Sequence, residues 1–350
     1  MKKPLNVLFL INYNASQKGN FITSLENLAD GLDKYVYVFN KEAKECSWIS
    51  DLKNVHFENE QNSLYKTLSK LIKENQINII HVHFASLNYL KALKLISLFH
   101  KVKIIYHHHI WYQPNKNPIK NFILNCLYSS CYHVAVSEDL FVDLKREFKE
   151  QRVFKIENGI DFSRLDNEDN GVDLSIFDKY NCFLLLGYDI KTKGGDIAIG
   201  ALEKLYNENK NFKLLIPLSK NSSKRAYYEQ YSFAHIIEPT NSIGTYYRRA
   251  LCLLAPSRIE TFGYAPVEAA YSGCITIASN CKGQRTIVNP SKIEFQTENV
   301  EDLYNKIVSL LNMKENELNE IREQGKRYVV EHYDISKWCK EIKELYCKVL

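Results

Sequence analysis

The chain has 350 residues, too long for one ordinary α/β domain and suited to two of average size. Apolar residues make up 45% and charged residues 25%, the proportions of a globular protein with a large core. The formal charge of +5 is small for this length and gives no support to a nucleic-acid binder.

The nine cysteines lack metal or redox spacing: Cys126 and Cys131 are too far apart for a CxxC pair, as are Cys274 and Cys281. Such a set reads as reduced thiols and points to the cytoplasm. Met1-Lys2-Lys3 followed by Val7–Ile11 superficially resembles a signal peptide. The apolar run is short, however, and Asn12, Asn14, Gln17 and Lys18 follow it, so it is assigned as a first strand. No window approaches the roughly 18 apolar residues of a membrane-spanning helix.

In chain order, the first half alternates short apolar runs with helical patterns. After Val7–Ile11, the apolar residues Ile22, Leu25, Leu28, Ala29 and Leu32 recur at helical spacing. Further strands are expected at Tyr35–Phe39, Ile77–His83, Val102–His107, His133–Val136 and Val153–Ile156. Ser137-Glu138-Asp139 is a helix start, a capping hydroxyl followed by acids. The turn signal Glu157–Asp161 and the patternless polar segment 166–173 mark a domain boundary. The second half restarts the pattern: strands at Cys182–Gly187, Phe212–Ile216, Ile236–Ile237, Leu251–Ala255 and Ile275–Ala278, with a helix over Gly194–Tyr206. From about Val300 the chain is helical, and Ile335, Trp338, Ile342, Leu345 and Tyr346 form the stripe of a last amphipathic helix. Strands apolar on both faces and separated by helices imply parallel sheets covered on both sides. The expected domains are 1–165 and 166–332, with 333–350 packing back on the first. Two facing doubly wound domains would place a ligand cleft at the carboxyl ends of their strands.

The densest chemical signal runs from Ala255 to Gly273. A buried strand ends at Pro256, a loop carries Glu260, and a helix is expected from about Pro266 to Gly273, with Glu268 in its first turn. The amides around Phe262–Ala265 would then form an anion site flanked by two carboxylates suited to sugar or ribose hydroxyls. Each carboxylate alone has a plainer explanation, Glu268 as a partner of the helix dipole and Glu260 as a solvated loop acid. A second strand–loop–helix unit, Leu186–Asp196, carries Lys193 where it can meet a diphosphate as a point charge.

Two glutamates with seven residues between them, Thr261-Phe262-Gly263 after the first and Ala269-Ala270 after the second, resemble the retaining glycosyltransferases of family 4. That resemblance implies an α/β GT-B fold of two Rossmann-like domains and transfer of a hexose from a UDP- or GDP-sugar with retained configuration. It assigns Glu260 to the transferred sugar, Glu268 to the ribose, and the amides of Phe262, Gly263 and Tyr264 to sugar and phosphate. The family usually carries Arg after the glycine that ends the strand; here Tyr188 stands there, and Lys191 or Arg258 is the expected substitute. On the acceptor side, Gly19 matches a glycine loop, His81-Val82-His83 matches a strand end, and His109 aligns with a His near the reacting sugar carbon. Because alternate strand residues share a face, at most His107 and His109 of the His107–His109 run could share a metal, and no metal is expected. No Asp-x-Asp follows a strand, so Lys193 and helix-end amides would neutralise the departing diphosphate.

Between Asn75 and Ser137 there is no Asp or Glu, while Lys91, Lys94, Lys101, Lys103, Lys116 and Lys120 fall there. In the expected helix Leu87–Phe99, and again over Asn115–Tyr128, lysines sit beside leucines, isoleucines and phenylalanine. This face suits anionic lipid or a polyprenyl-diphosphate-linked acceptor, in the setting of bacterial capsule or lipopolysaccharide synthesis. A lysine face solvated over ordinary core leucines fits the same pattern. Two alternatives accompany the transferase: a non-catalytic nucleotide-sugar-binding subunit, and an epimerase of the same fold.

Overall fold

The computed structural model describes residues 3–15, 18–58, 63–167, 174–186, 189–240 and 242–350. It divides into two compact units, Met1–Gly159 with Ile335–Leu350, and Ile160–Asp334.

The first unit is a seven-stranded parallel sheet: β1 (Asn6–Ile11), β2 (Lys34–Phe39), β3 (Val55–Phe57), β4 (Ile79–His83), β5 (Lys103–His108), β6 (Cys131–Ala135) and β7 (Val153–Lys155). The order is β3-β2-β1-β4-β5-β6-β7. β1 shows why both faces are covered. Val7, Phe9 and Ile11 point into one apolar core, and Leu8 and Leu10 into another, all fully buried. The helices Asn20–Ala29 and Ile335–Val349 cover the first face, and Leu64–Asn75 and Leu87–Phe99 the second. Trp338, Ile342 and Tyr346 are buried in the first core. At about 2 kcal/mol for each large side chain buried, they hold the last helix firmly in this unit.

The second unit repeats the plan with six parallel strands: β8 (Asn181–Leu185), β9 (Phe212–Pro217), β10 (Ala234–Ile237), β11 (Cys252–Ala255), β12 (Ile275–Ser279) and β13 (Lys292–Phe295). Their order is β10-β9-β8-β11-β12-β13. In both sheets the order reverses beside the first strand, between β1 and β4 and between β8 and β11. Loops leaving the carboxyl ends of such a pair diverge to opposite faces and leave room for a ligand.

Three features differ from the sequence reading. β3 and β13 lie at sheet edges, are only partly buried, and carry too few apolar residues to stand out. The units divide at Gly159, ahead of the expected 165/166 boundary, because the segment after Gly159 is built into the second unit. Ile160 bridges Asp334, Phe162 stacks on Tyr271 with ring centroids 4.3 Å apart, and the Leu165 carbonyl accepts from Arg248 Nη1 at 2.7 Å. The return falls at Ile335, and residues 168–173 of the polar segment lie outside the described residues. No helix among the described residues is long and apolar enough to cross a membrane.

Candidate functional site

The loops after β8 and β11 meet at the switch point of the second unit. Asp189 caps the short turn Ile190–Lys193, its Oδ1 accepting from the amides of Lys191 and Thr192 at 3.0 Å each. Gly194 ends that turn at φ +71°, and a Cβ there would stand 1.9 Å from the Pro256 carbonyl oxygen. Only glycine allows the two loops this approach. It brings Lys193 Nζ onto Glu260 Oε2 as an ion pair, while Glu260 Oε1 accepts from its neighbour Thr261 N at 3.1 Å. Gly187 and Tyr188 lie outside the described residues.

Arg258, one of the two expected substitutes for the family arginine, is engaged by neighbouring segments of its own unit. Nη1 and Nη2 donate to Asp196 at 2.8 and 3.0 Å, Nε to Glu298 at 2.5 Å, and Nη1 also to the Lys191 carbonyl at 2.6 Å. Four of the five guanidinium N–H groups are thus committed to fastening the loop. Lys191 is 85% exposed and lies 3.6 Å from Asp196, which leaves it able to move to a ligand.

The helix after Glu260 runs Tyr264–Tyr271, starting two residues earlier than expected because Gly263, at φ +89°, serves as its N-cap. Glu268 therefore sits in the second turn and is not a dipole partner of the first. It is buried, with Oε1 paired to Arg164 Nη2 and Oε2 accepting from the Tyr247 hydroxyl at 3.3 Å. The first-turn amides of Tyr264 and Ala265 have no intrahelical acceptor, and Pro266 has no amide to satisfy. The side chain of Phe262 is core, packed on Tyr264 and Tyr333, so only its backbone is available to a ligand. Burial, reinforced by Glu268, raises the Tyr264 phenol well above its ordinary range. Buried Gln284 donates to the carbonyls of Ala255 and Ser279 at 3.1 Å each and joins the ends of β11 and β12 behind this loop.

In the first unit, β4 and β5 bring His81, His83 and His107 together on one face, and His109, the residue after β5, joins them. His83 pairs in register with His107. His81 Nδ1 lies 2.7 Å from the Tyr346 hydroxyl and its Nε2 3.2 Å from His107 Nδ1; His83 Nδ1 lies 2.8 Å from His109 Nε2. The rings of His107 and His109 stack at 4.6 Å with 2° between planes. Desolvation lowers all four pKa values, those of His81 and His109 to about 3, so the cluster is neutral at neutral pH. On the opposite face His108 and His133 form a second buried pair at 3.0 Å. Gly19 precedes the helix Asn20–Ala29, and Phe21 packs on both Gly19 and His109. Phe84, held at φ +55°, stacks on His109 at 4.8 Å. A left-handed phenylalanine costs about 1 kcal/mol or more, and such strain gathers at functional sites. Ser16 and Gln17 of the glycine loop lie outside the described residues.

Limiting any shared metal to His107 and His109 needs correction, because β4 contributes as well. Ligand nitrogens of His81, His83 and His107 lie within 4.8 Å of one another. Within that group the His81–His107 contact, at 3.2 Å, is a hydrogen-bond distance between the two rings.

The basic segment also resolves in part. Leu90 and Leu93 are core, whereas Leu95, Leu98, Phe99, Ile119, Phe122 and Ile123 are exposed. Lys94 turns inward to Ser129 and Ser130 at 3.0 and 3.2 Å, while Lys91, Lys116 and Lys120 remain exposed.

Two doubly wound parallel units in one chain define an α/β protein of the GT-B fold. The family described as glycosyl transferases group 1 matches residues 166–328, and glycosyltransferase family 4 matches residues 55–164. The chain belongs to the group 1 glycosyltransferases. A glycosyltransferase from Rickettsia africae is similar in structure at 18% identity and TM-score 0.78, with 98% of each chain covered. Anabaena HepE in complex with UDP is similar at 14% identity and TM-score 0.80, covering 98% of this chain and all of that one. WaaG, a glycosyltransferase involved in lipopolysaccharide biosynthesis, is similar at 15% identity and TM-score 0.68, covering 97% and 99%. No curated protein matches the chain by sequence.

Arg164 and Tyr247 had no signal in the sequence. They lie 104 and 21 residues from Glu268, and only the fold brings them to it. His81 and His83 were legible as a strand-end motif, but not as the partners of His107 and His109.

Proposed function

We propose that the chain transfers a hexose from a UDP- or GDP-sugar, with retained configuration, to a glycan or polyprenyl-diphosphate-linked acceptor. The setting is bacterial cell-surface polysaccharide synthesis at the cytoplasmic face of a membrane. The observation that carries this reading is the Lys193–Glu260 pair where the loops after β8 and β11 meet. A nucleotide diphosphate arriving there competes for Lys193, and its release of Glu260 turns that carboxylate toward a sugar hydroxyl. Lys193, mobile Lys191 and the first amides of the helix Tyr264–Tyr271 neutralise the leaving diphosphate without a metal ion. Glu268, oriented by Arg164 and Tyr247, accepts from the ribose hydroxyls. His109 and Gly19 serve the acceptor side.

The structures of Anabaena HepE that hold UDP and UDP-glucose support a UDP-sugar, and likeness to WaaG supports the polysaccharide setting. The exposed apolar residues among Lys91, Lys116 and Lys120 support contact with anionic lipid. Incubation of the purified chain with a panel of UDP- and GDP-sugars, without acceptor, tests the reading. Slow release of free sugar is expected with one donor and is lost in Glu260→Gln. Equal release by wild type and Glu260→Gln would refute it.

A further inference from the structure

His83 is fully buried, and its two ring nitrogens have different surroundings. Nδ1 faces His109 Nε2 at 2.8 Å, and Nε2 has no hydrogen-bond partner among the described residues. A neutral imidazole carries one proton, on one nitrogen or the other. Buried N–H groups without an acceptor are rare in folded proteins, and an unpaired acceptor is tolerated more often. The proton of His83 is therefore better placed on Nδ1, where it donates to His109. Nε2 of His109 is then an acceptor, and a neutral His109 must hold its own proton on Nδ1. Both rings are neutral at neutral pH because burial opposes their charging. Stacking on His107 and Phe84 fixes the plane of the His109 ring, so the 2.8 Å contact sets which nitrogen is which.

We propose that His83 is a positioning residue that fixes His109 in the Nδ1–H tautomer, so that His109 meets an oxygen of its ligand as a hydrogen-bond donor and not as a general base. The oxygen is a hydroxyl or phosphate oxygen, the acceptor groups that a nucleotide sugar and its acceptor offer. This rests on the reading of His109 as a site residue, whereas the tautomer itself does not depend on any substrate.

Long-range proton–nitrogen correlation spectra of the full chain, with 15N-labelled histidine at neutral pH, test the proposal directly. The expected result is a His109 Nε2 at the shift of an unprotonated nitrogen and an Nδ1 at that of a protonated one. A protonated Nε2, an averaged mixture, or a pattern showing His83 Nε2 bound to a metal would overturn it. In His83→Asn the side-chain amide donates from nearly the place of Nδ1–H, and the His109 pattern is kept. His83→Ala loses it, and an unchanged pattern in His83→Ala would also overturn the proposal. If the wild-type pattern is as expected but no nucleotide sugar is turned over, the proposed function fails and the tautomer assignment stands.

Discussion

Lowering the pH from 7.5 to 5.5 will destabilise the first unit selectively. Burial lowers His81, His109 and His133 to about 3. In the unfolded chain each titrates near 6.5. A group whose folded pKa lies below its unfolded value adds stability above the unfolded value and loses it as pH falls toward the folded one. Below pH 6.5 the unfolded chain therefore takes up protons that the folded chain refuses. At pH 5.5 each of these histidines has lost roughly 1 kcal/mol or a little more, so the three together cost about 4 kcal/mol. His83, His107 and His108, shifted in the same direction, add to this. Glu157 and Glu341, raised by burial, oppose it with smaller shifts. All three tryptophans, Trp48, Trp111 and Trp338, belong to the first unit, so their fluorescence reports on it alone. With a typical urea dependence of about 2 kcal/mol per molar, the fluorescence midpoint drops by roughly 2 M between the two pH values. A midpoint that does not move would refute the burial argument for these histidines.

In Arg164→Met the buried Glu268 carboxylate loses its counter-ion. Arg164 is one-third exposed, so the loss falls toward the lower end for buried pairs, about 2 kcal/mol in the second unit by far-UV urea unfolding. Adding Glu268→Gln recovers part of it, and a double variant no better than the single one would argue against the pairing. Gly194→Ala, with a backbone oxygen 1.9 Å from the new methyl, costs at least about 3 kcal/mol. Gly273→Ala, at φ +76° with nothing within 4 Å, costs about 1 kcal/mol in the same assay. Reversing Lys91, Lys116 and Lys120 to Glu weakens sedimentation with anionic vesicles by roughly a hundredfold or more at about 1 kcal/mol per charge removed. Sedimentation indifferent to these changes would rule out the lipid contact.

The strands that carry the fold were legible because both faces are buried, which makes runs such as Val7–Ile11 and Cys252–Ala255 continuously apolar. β3 and β13, partly exposed at sheet edges, lacked that signature. The Glu260 loop was legible through its spacing, but the helix behind it was displaced by two residues. A glycine at positive φ can cap a helix as well as end one, and the sequence near Gly263 does not distinguish these uses. What Arg258 does could not be read locally, because its partners Asp196 and Glu298 come from distant segments. The alternation rule placed His107 and His109 together; that β4 would lay His81 and His83 beside them depended on strand order.

The chain leaves the first unit at Gly159 and re-enters it at Ile335, and these two points touch: a Cβ on Gly159 would lie 3.2 Å from the Ile335 Cα. The second unit is thus a guest threaded through one doorway of its host. During synthesis, residues 160–334 are all available before the helix that supplies Trp338, Ile342 and Tyr346 has been made. The later-encoded unit can therefore complete its core first, while the earlier one waits with the part of its sheet that this helix covers, including His81, exposed.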